Sequence, residues 1–448
     1  MEIKGKKVLV LGLARTGREC ARFLAQHGAS VQVTDVRSEV ELKQEMETLA
    51  ALPIRYFLGG EDPDWLEGVD IIVPSPGVPA ENVLLKEGSR RGIKILSEIE
   101  FACRFLRAPL VAITGTNGKS TTTTLVGEML KASGAKVFVG GNIGTPLIGF
   151  VGGDWEWGVV EVSSFQLEWI EEFRPRISVL LNLTEDHLDR YPNFRAYCQA
   201  KQRIFEAQDA NDIAILSRDD RLVWEMRKRI RARVVSFGFS EVDDGVFVAA
   251  REMIWRDGSR EEKFPLSRVK IQGVHNVENM MAAIAAAKSA GVSASLIQKV
   301  LEEFPGLEHR LEFVREKDGV RYYNDSKGTN VGAVVKSLAS FSDPVILLAG
   351  GVDKGGDYGI LRQEIRQKVR QLVLFGEAQE IIARALGDLT ETVIVENLEA
   401  AVGDAFAHAR AGEVVLLSPA CSSFDMFRNY EHRAQVFVAA VKRLEQAR

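Results

Sequence analysis

The chain has 448 residues, length enough for about three ordinary domains. With 46% hydrophobic and 27% charged residues it has the composition of a globular enzyme, and a net charge of −5 leaves no general basic footprint for nucleic acid or an anionic membrane. Its four scattered cysteines fit reduced thiols in a cytoplasmic protein rather than a disulfide scaffold or zinc site, and no apolar run nears the roughly 18 residues of a membrane span.

Lys4, Lys6 and Lys7 before the apolar Val8 to Ala14 have the look of a signal peptide. The run is short, Gly12 interrupts it and no small-residue cleavage site follows, so it reads as a first strand. Gly12-Leu13-Ala14-Arg15-Thr16-Gly17 then leads into a helix through Cys20, Phe23 and Leu24, and a second strand, Ser30 to Thr34, ends at Asp35. This is a Rossmann-like βαβ opening with its acid about 20 residues after the turn. Ala14 stands where the middle glycine of a dinucleotide fingerprint belongs, which leaves another nucleotide or a purely structural turn open. A buried strand at Asp70 to Val73 ends in Pro74-Ser75-Pro76-Gly77, so two turns fall at carboxyl ends of strands, where open α/β sheets bind ligands. Leu106 to Pro109 reads as a linker.

Beyond it, the apolar Leu110 to Ile113 runs into Gly115-Thr116-Asn117-Gly118-Lys119-Ser120-Thr121, followed by a helix with Leu125, Val126, Met129 and Leu130 on one face. Strand, Gly-rich turn, Lys-Ser and helix make a phosphate-binding loop. Backbone N–H groups and the helix N-terminus favour the anion, Lys119 adds a point charge, and Ser120 can reach a magnesium ion. The spacing is shorter than the usual form with four residues between the glycines. Strands at Lys136 to Val139, Gly158 to Val162 and Ile177 to Leu181 end in polar segments bearing Asn142, Glu161 and the run Glu185-Asp186-His187-Leu188-Asp189. Singly, such a carboxylate or histidine serves as a cap. Together, beside a phosphate loop, they suit oxygen-ligand magnesium chemistry, and His187 with Asp189 is too sparse a set for zinc.

Arg227, Lys228, Arg229, Arg231 and Arg233 read as a solvated helix face. Gly245 to Gly273 changes to short strand-like pieces, a β extension of the sheet. His275-Asn276-Val277-Glu278-Asn279 opens an Ala-rich helix, where capping accounts for one of Asn276 and Asn279 and leaves the other for a ligand. After a second linker at Gly306, Lys317-Asp318-Gly319 marks a hairpin. Strands recur at Pro344–Leu348, Gln371–Phe375, Thr392–Val395 and Glu413–Ser418, a third αβ layer with polar loops at its strand ends.

The stretches GTNGKST, GGNIG, EVSSFQLE, LNLTEDHLDRYP with Lys201 beyond it, GVHNVEN, EHR, NDSKGTN, GGVDKGGDY and SPACSSFDMF occur in the order found in the Mur ligases, and the chain resembles that family over its whole length. SSFQLE and SPACSSFD resemble the member that adds D-glutamate to UDP-N-acetylmuramoyl-L-alanine rather than those adding L-alanine, diaminopimelate or D-Ala-D-Ala. The resemblance implies an α/β protein of three domains: a Rossmann-like UDP-sugar domain at 1–97, a central P-loop ATPase-like domain at 98–306, and a C-terminal Rossmann-like domain for the amino acid at 307–448. It further implies a monomer and an ATP-dependent amide ligase of cytoplasmic peptidoglycan precursor synthesis, working through an acyl phosphate.

By the same resemblance Arg15, Thr16, Asp35, Val36, Arg37, Ser75 and Gly77, with Asn142, hold the UDP-sugar; Arg15 departs from the family's aliphatic residue. Gly115, Thr116, Asn117, Gly118, Lys119, Ser120 and Thr121, with Asn279, Arg310 and Asp325, fall on the ATP positions. Ser120, Glu161 and His187 fall on the positions for two magnesium ions. Lys201 matches the lysine that is carbamylated in the family, a modification that turns a cation into an anionic oxygen ligand. Lys119, Glu161, His187 and Lys201 are thus the catalytic group. Thr329, Lys354, Ser423 and Phe424 fall on the D-glutamate positions, as does Tyr430, which replaces a phenylalanine and is expected to serve through its backbone N–H. A folylpolyglutamate synthase-like ligase shares the phosphate loop but has no use for the first domain. A nucleotide-binding switch has no use for Glu161, His187, Lys201 and the amino-acid loops together.

Overall fold

The computed structural model describes residues 2–271 and 273–444. Three sheets follow one another along the chain. The first holds β1 (Lys7–Leu11), β2 (Ser30–Asp35), β3 (Ile54–Leu58), β4 (Ile71–Pro74) and β5 (Lys94–Ile95), all parallel in the order β3-β2-β1-β4-β5. The apolar runs Val8–Val10 and Ile71–Val73 are buried, as strands covered on both faces by helices must be. Strand order reverses between β1 and β4, which brings the Gly12–Gly17 and Ser75–Gly77 turns together. The outer strands β3 and β5 are not among the strands expected from sequence, nor are Ile213–Ser217 and Arg233–Gly238 of the second sheet.

The second sheet holds β6 (Leu110–Thr114), β7 (Val137–Gly141), β8 (Trp157–Glu161), β9 (Ile177–Leu180), β10 (Ile213–Ser217), β11 (Arg233–Gly238), β12 (Gly245–Ala249), β13 (Glu252–Asp257) and β14 (Arg260–Pro265). Its order is β14-β13-β12-β11-β10-β9-β6-β8-β7, parallel from β7 to β12 and antiparallel beyond. The expected β extension is therefore its outer edge. β11 and β12 pair in parallel through a link of only six residues, possible because Gly245 pairs with Ser236, near the end of β11. Gly245 has φ +135°, and a Cβ there would strike the Ser236 carbonyl, so only glycine fits.

Chain direction turns away on both sides of β6, so the phosphate loop that follows it opens at the sheet's switch point. The helix after the loop, Lys119–Ala132, packs on the helix Val274–Ser289, whose residues Met280 to Ala287 are fully buried. Alanine's small side chain allows a helix this enclosed. That helix starts at Gly273 without a side-chain cap, so neither Asn276 nor Asn279 caps it. The basic cluster is solvated but is not one helix face, since Arg227–Arg229 form a 3-10 turn and Arg233 opens β11: Lys228 pairs with Glu225, Arg227 lies 4.5 Å from the Trp224 ring centre, and Arg233 meets Asp244 and Asp257.

The third sheet holds β15 (Glu312–Lys317), β16 (Val320–Asn324), β17 (Val345–Gly350), β18 (Val369–Phe375), β19 (Glu391–Ile394) and β20 (Val414–Leu417), in the order β15-β16-β20-β17-β18-β19. It is parallel except for the β15/β16 hairpin, whose turn residues Asp318 and Gly319 both have positive φ, as a two-residue turn matched to strand twist requires.

The two junctions between these units differ in kind. One hydrophobic core runs from the first sheet (Val8, Val10, Val33) through Ile99 and Phe101 to Leu147, Val160 and Leu180 of the second. Beside it, Glu100 accepts the N–H groups of Glu171, Glu172 and Phe173 at 2.8–2.9 Å and pairs with Arg104. The third sheet has its own cores on its two faces. It meets the second through polar pairs: Lys336–Glu278 at 2.6 Å, Arg310 Nη2 to Ser120 Oγ at 3.2 Å, and Asn330 Nδ2 to Asp186 Oδ2 at 3.0 Å. Polar interfaces of this kind permit relative motion, whereas the shared apolar core resists it.

Candidate active site

The loop after β6 is shaped by its own neighbours. Thr116 N–H donates to the Asn182 carbonyl and Asn117 N–H to Asn182 Oδ1, both at 2.9 Å. Thr116 Oγ1 receives the Thr184 N–H and contacts Tyr197 Oη, both at 3.0 Å. Gly118 caps the helix at φ +87°, and a Cβ there would collide with Asn279 Oδ1. Glycine thus lets Asn279 reach the loop. Lys119 Nζ donates to the Gly115 and Thr116 carbonyls at 2.9 and 2.8 Å, which leaves one of its three N–H groups for a ligand. Burial pushes its pKa below the usual lysine value, against the pull of Glu161 and Asp186.

Glu161, at the end of β8, has both oxygens engaged: Oε2 accepts from Ser120 Oγ at 2.7 Å and Oε1 from Asn142 Nδ2 at 2.8 Å. Burial would raise its pKa, but the Lys119 and Lys327 charges and these two bonds outweigh it and keep the group a carboxylate. Lys201 is 2% exposed; its Nζ lies 3.5 Å from Thr114 Oγ1 and 4.8 Å from the Tyr197 ring centre. Burial first, then the Lys119 charge, drives its pKa well below the ordinary value, favouring a neutral amine. His187 has φ +56° and sits edge-on to Phe165 at 4.8 Å. Burial brings its pKa down to about 4 in spite of Asp186, so its ring is neutral and has a lone pair to offer.

One cavity of about 510 Å³ gathers Thr116, Asn117, Lys119, Ser120, Glu161, His187 and Lys201 from the second unit with Arg310, Thr329, Lys354, Phe424 and Tyr430 from the third. Ser423 is buried and lies outside that wall. A smaller crevice against the loop is lined by Gly118, Thr121, Asn279, Arg310 and Asp325, and opens towards a cavity of about 660 Å³ edged by Phe313, Tyr323 and Phe341. Asp325 accepts from Ser337 Oγ at 2.7 Å and Ser418 Oγ at 2.8 Å, yet burial raises its pKa to about 6. Arg310 stands between two left-handed residues, His309 (φ +64°) and Leu311 (φ +45°), strain of the kind that gathers at functional sites.

In the first unit a cavity of about 490 Å³ is lined by Arg15, Thr16, Asp35, Val36, Arg37, Ser75 and Gly77, together with Asn142. Asp35 accepts Leu13 N–H at 2.8 Å and a forked pair from Arg37 at 2.8 and 3.0 Å, so it also ties the Gly-rich turn to the end of β2. Arg15 and Asn142 line this cavity and the 510 Å³ one alike, so the two are neighbours.

The tertiary arrangement adds residues that no sequence pattern singled out. Asp186 accepts from Asn330 at 3.0 Å and from Lys354 Nζ at 3.3 Å. Lys327 donates to Tyr430 Oη at 3.0 Å and lies 4.6 Å from the Tyr430 ring centre. The Tyr430 side chain is therefore engaged, against the expectation that only its backbone matters. Arg433, fully buried, donates to Ser326 and to the carbonyls of Cys421 and Ser422, tying together the loops that follow the inner strands β16 and β20. Asp186 and Lys327 stood inside runs already noticed, but a charge in a polar loop carries no mark of what it faces.

Family models match nearly the whole chain in three blocks: a Mur ligase MurD-like N-terminal domain at residues 6–97, a Mur ligase middle domain at 113–287 and a Mur ligase glutamate ligase domain at 309–421. The chain is 51% identical to a UDP-N-acetylmuramoylalanine–D-glutamate ligase of Trichlorobacter lovleyi, over 99% of this chain and 100% of the relative. It is 53% identical to one of Geobacter metallireducens, over 99% of each. Among solved structures, the UDP-N-acetylmuramate-alanine ligase of Thermotoga maritima superposes with a TM-score of 0.60 at 19% identity, covering 99% of this chain and 100% of that one. A MurF ligase of Thermotoga maritima in complex with ADP does so with 0.60 at 17%, covering 99% and 96%. These two likenesses concern the fold; the sequence relatives, half identical from end to end, place the chain in the Mur ligase family, among its UDP-N-acetylmuramoylalanine–D-glutamate ligases.

Proposed function

We propose that the chain joins D-glutamate to UDP-N-acetylmuramoyl-L-alanine in peptidoglycan precursor synthesis in the cytoplasm, at the cost of ATP. One observation carries the reading. The cavity holding Lys119 and Glu161 shares Arg15 and Asn142 as wall with a first-unit pocket, and it is lined by Thr329 and Lys354 of the third unit. A nucleotide-sugar acid, a nucleoside triphosphate and an amino acid thus have separate approaches to one centre.

In this reading the UDP-sugar lies in the 490 Å³ cavity against the N-terminus of the helix Arg15–Gln26, which suits a diphosphate. ATP lies with its phosphates on the loop amides and Lys119, and its nucleoside near Asn279, Arg310 and Asp325. The L-alanine carboxylate attacks the γ-phosphorus and releases ADP; the D-glutamate amine attacks the resulting acyl phosphate and expels inorganic phosphate. Attack of one anion on another needs charge neutralisation above all. Lys119 and Arg310 supply cations, the loop supplies N–H groups, and Lys354 and Thr329 orient the amino acid.

The donor set suits magnesium. Ser120 Oγ and Glu161 Oε2 lie side by side at the loop, and a hard ion that keeps waters and phosphate oxygens needs only one or two protein ligands. Ser120 and Glu161 would hold one ion, and His187 with a carbamylated Lys201 a second. Bound there, magnesium neutralises phosphate charge and polarises the phosphoryl oxygens. Lys201 fits the modification because it is enclosed and makes no ion pair among the described residues. Phosphate release from ATP with UDP-N-acetylmuramoyl-L-alanine, measured over a panel of amino acids, tests the assignment: D-glutamate alone should complete turnover, and turnover with L-alanine or diaminopimelate instead would refute it.

A further inference from the structure

Asp186 and Lys354 face each other across the junction of the second and third units. Asp186 is 7% exposed, and its Oδ1 takes Lys354 Nζ at 3.3 Å and the His187 N–H at 3.0 Å, while Oδ2 takes Asn330 Nδ2 at 3.0 Å. Lys354 Nζ reaches Thr329 Oγ1 at 3.4 Å. Asp186 has no donor to offer a phosphate, and its bonds to other side chains run across to the third unit.

We propose that Asp186 receives the α-ammonium group of the incoming amino acid, exchanging Lys354 for it as the amino acid's α-carboxylate takes the lysine. The proposal rests on the reading that Lys354 and Thr329 bind that amino acid. If the carboxylate engaged Lys354 alone, Asp186 would keep Asn330, a backbone N–H and, at 3.8 Å, the neutral His187 ring, none of them a cation, for a charge shut away from water. Leaving a buried ion without its counter-ion is strongly unfavourable. An α-amino acid carries both charges on neighbouring atoms, so it enters between the two side chains with signs alternating. Each buried charge is then paired before binding and after it. Asp186 precedes His187 and lies on the phosphate-loop side of the cavity. The amine is accordingly held towards the centre where the acyl carbon stands, with the side chain of the amino acid pointing back to the third unit.

The test compares D-glutamate with glutarate, which has both carboxylates and the same chain but no ammonium. Titration calorimetry on the full chain, saturated with UDP-N-acetylmuramoyl-L-alanine and a non-hydrolysable ATP analogue, gives both affinities. Wild-type protein should bind glutarate about 10- to 100-fold more weakly than D-glutamate, the worth of one charge-assisted bond. In Asp186→Asn that ratio should fall to within about threefold of unity, while Lys354→Ala should weaken both ligands together. A ratio near unity in the wild-type protein, which needs no variant to fold, overturns the proposal. So does a wild-type ratio in Asp186→Asn, which would leave the pair as a latch between units. Unchanged affinities in Lys354→Ala would remove the underlying reading of the amino-acid site instead, and the proposal with it.

Discussion

Lys201→Ala separates what an enclosed lysine does for packing from what its modified form does for chemistry. The side chain is 2% exposed, its amine has only a 3.5 Å contact to Thr114, and it lies on the Tyr197 ring. Truncating a buried unbranched chain costs about 2–5 kcal/mol, and the poor satisfaction of this amine puts the loss at the low end. Against a total stability of about 5–15 kcal/mol the variant remains folded. The chemical loss is larger: one preorganised charge at a phosphoryl centre is worth about 100–1,000-fold in rate, or about 3–4 kcal/mol. The assay is phosphate release with saturating substrates, with circular dichroism to check the fold. Because the deletion leaves a space beside Glu161 and His187, formate or acetate should enter it, supply the missing carboxylate and restore activity by at least tenfold, about 1.4 kcal/mol. Activity that does not respond across a full titration of either acid, together with wild-type turnover indifferent to bicarbonate, would refute the carbamate.

Two further outcomes follow from the same centre. Lys119→Ala should lower ligation about 100- to 1,000-fold while leaving UDP-sugar affinity within about threefold, because the first-unit cavity does not include it; near-normal turnover would remove the loop from the chemistry. Burial lowers the Lys327 pKa from its ordinary value to about 8, so the group is a cation below that pH and neutral above it. Lys327 lines the 510 Å³ cavity with Lys119 and Glu161, so affinity of the free enzyme for ATP should fall as pH rises through about 8, and Tyr430→Phe, which keeps the ring but removes the Oη acceptor, should move that midpoint lower. A profile flat from pH 7 to 9 in both proteins, measured by fluorescence titration at constant ionic strength, would take Lys327 out of the binding set.

Local chemistry made much of this chain legible before any coordinates. Two glycines, a lysine and a serine after an apolar strand can hardly be anything but a phosphate loop, since few backbones present several free N–H groups at one helix start. Buried strands such as Leu110–Thr114 and Val414–Leu417 declare themselves by continuous apolar runs, and the Asp318-Gly319 hairpin by the positive φ it needs. Strands β3, β5, β10 and β11 did not: β5 has only two residues, β11 opens in the basic cluster, and the short apolar runs of β3 and β10 fit a helix segment as well as a strand. Asn276 and Asn279 misled as caps because the helix begins earlier, at a glycine whose role depends on what packs against it.

By itself, then, the order of residues determined α/β units and a phosphate-type loop at a helix start, because such properties reside in a few adjacent residues, while the amino-acid and magnesium positions were read from the resemblance to the family. Tertiary structure alone decided which groups meet. Asp186 faces Lys354 across 168 positions of chain, Arg310 reaches Ser120 across 190, and Tyr430 engages Lys327 through a hydroxyl whose value depends on that neighbour. The first two pairings come from how the third sheet seats on the second, and the last from how the loop after β16 meets the helix Tyr430–Arg443. No local pattern encodes them, since a charge in a polar loop costs the chain nothing until folding removes the water around it.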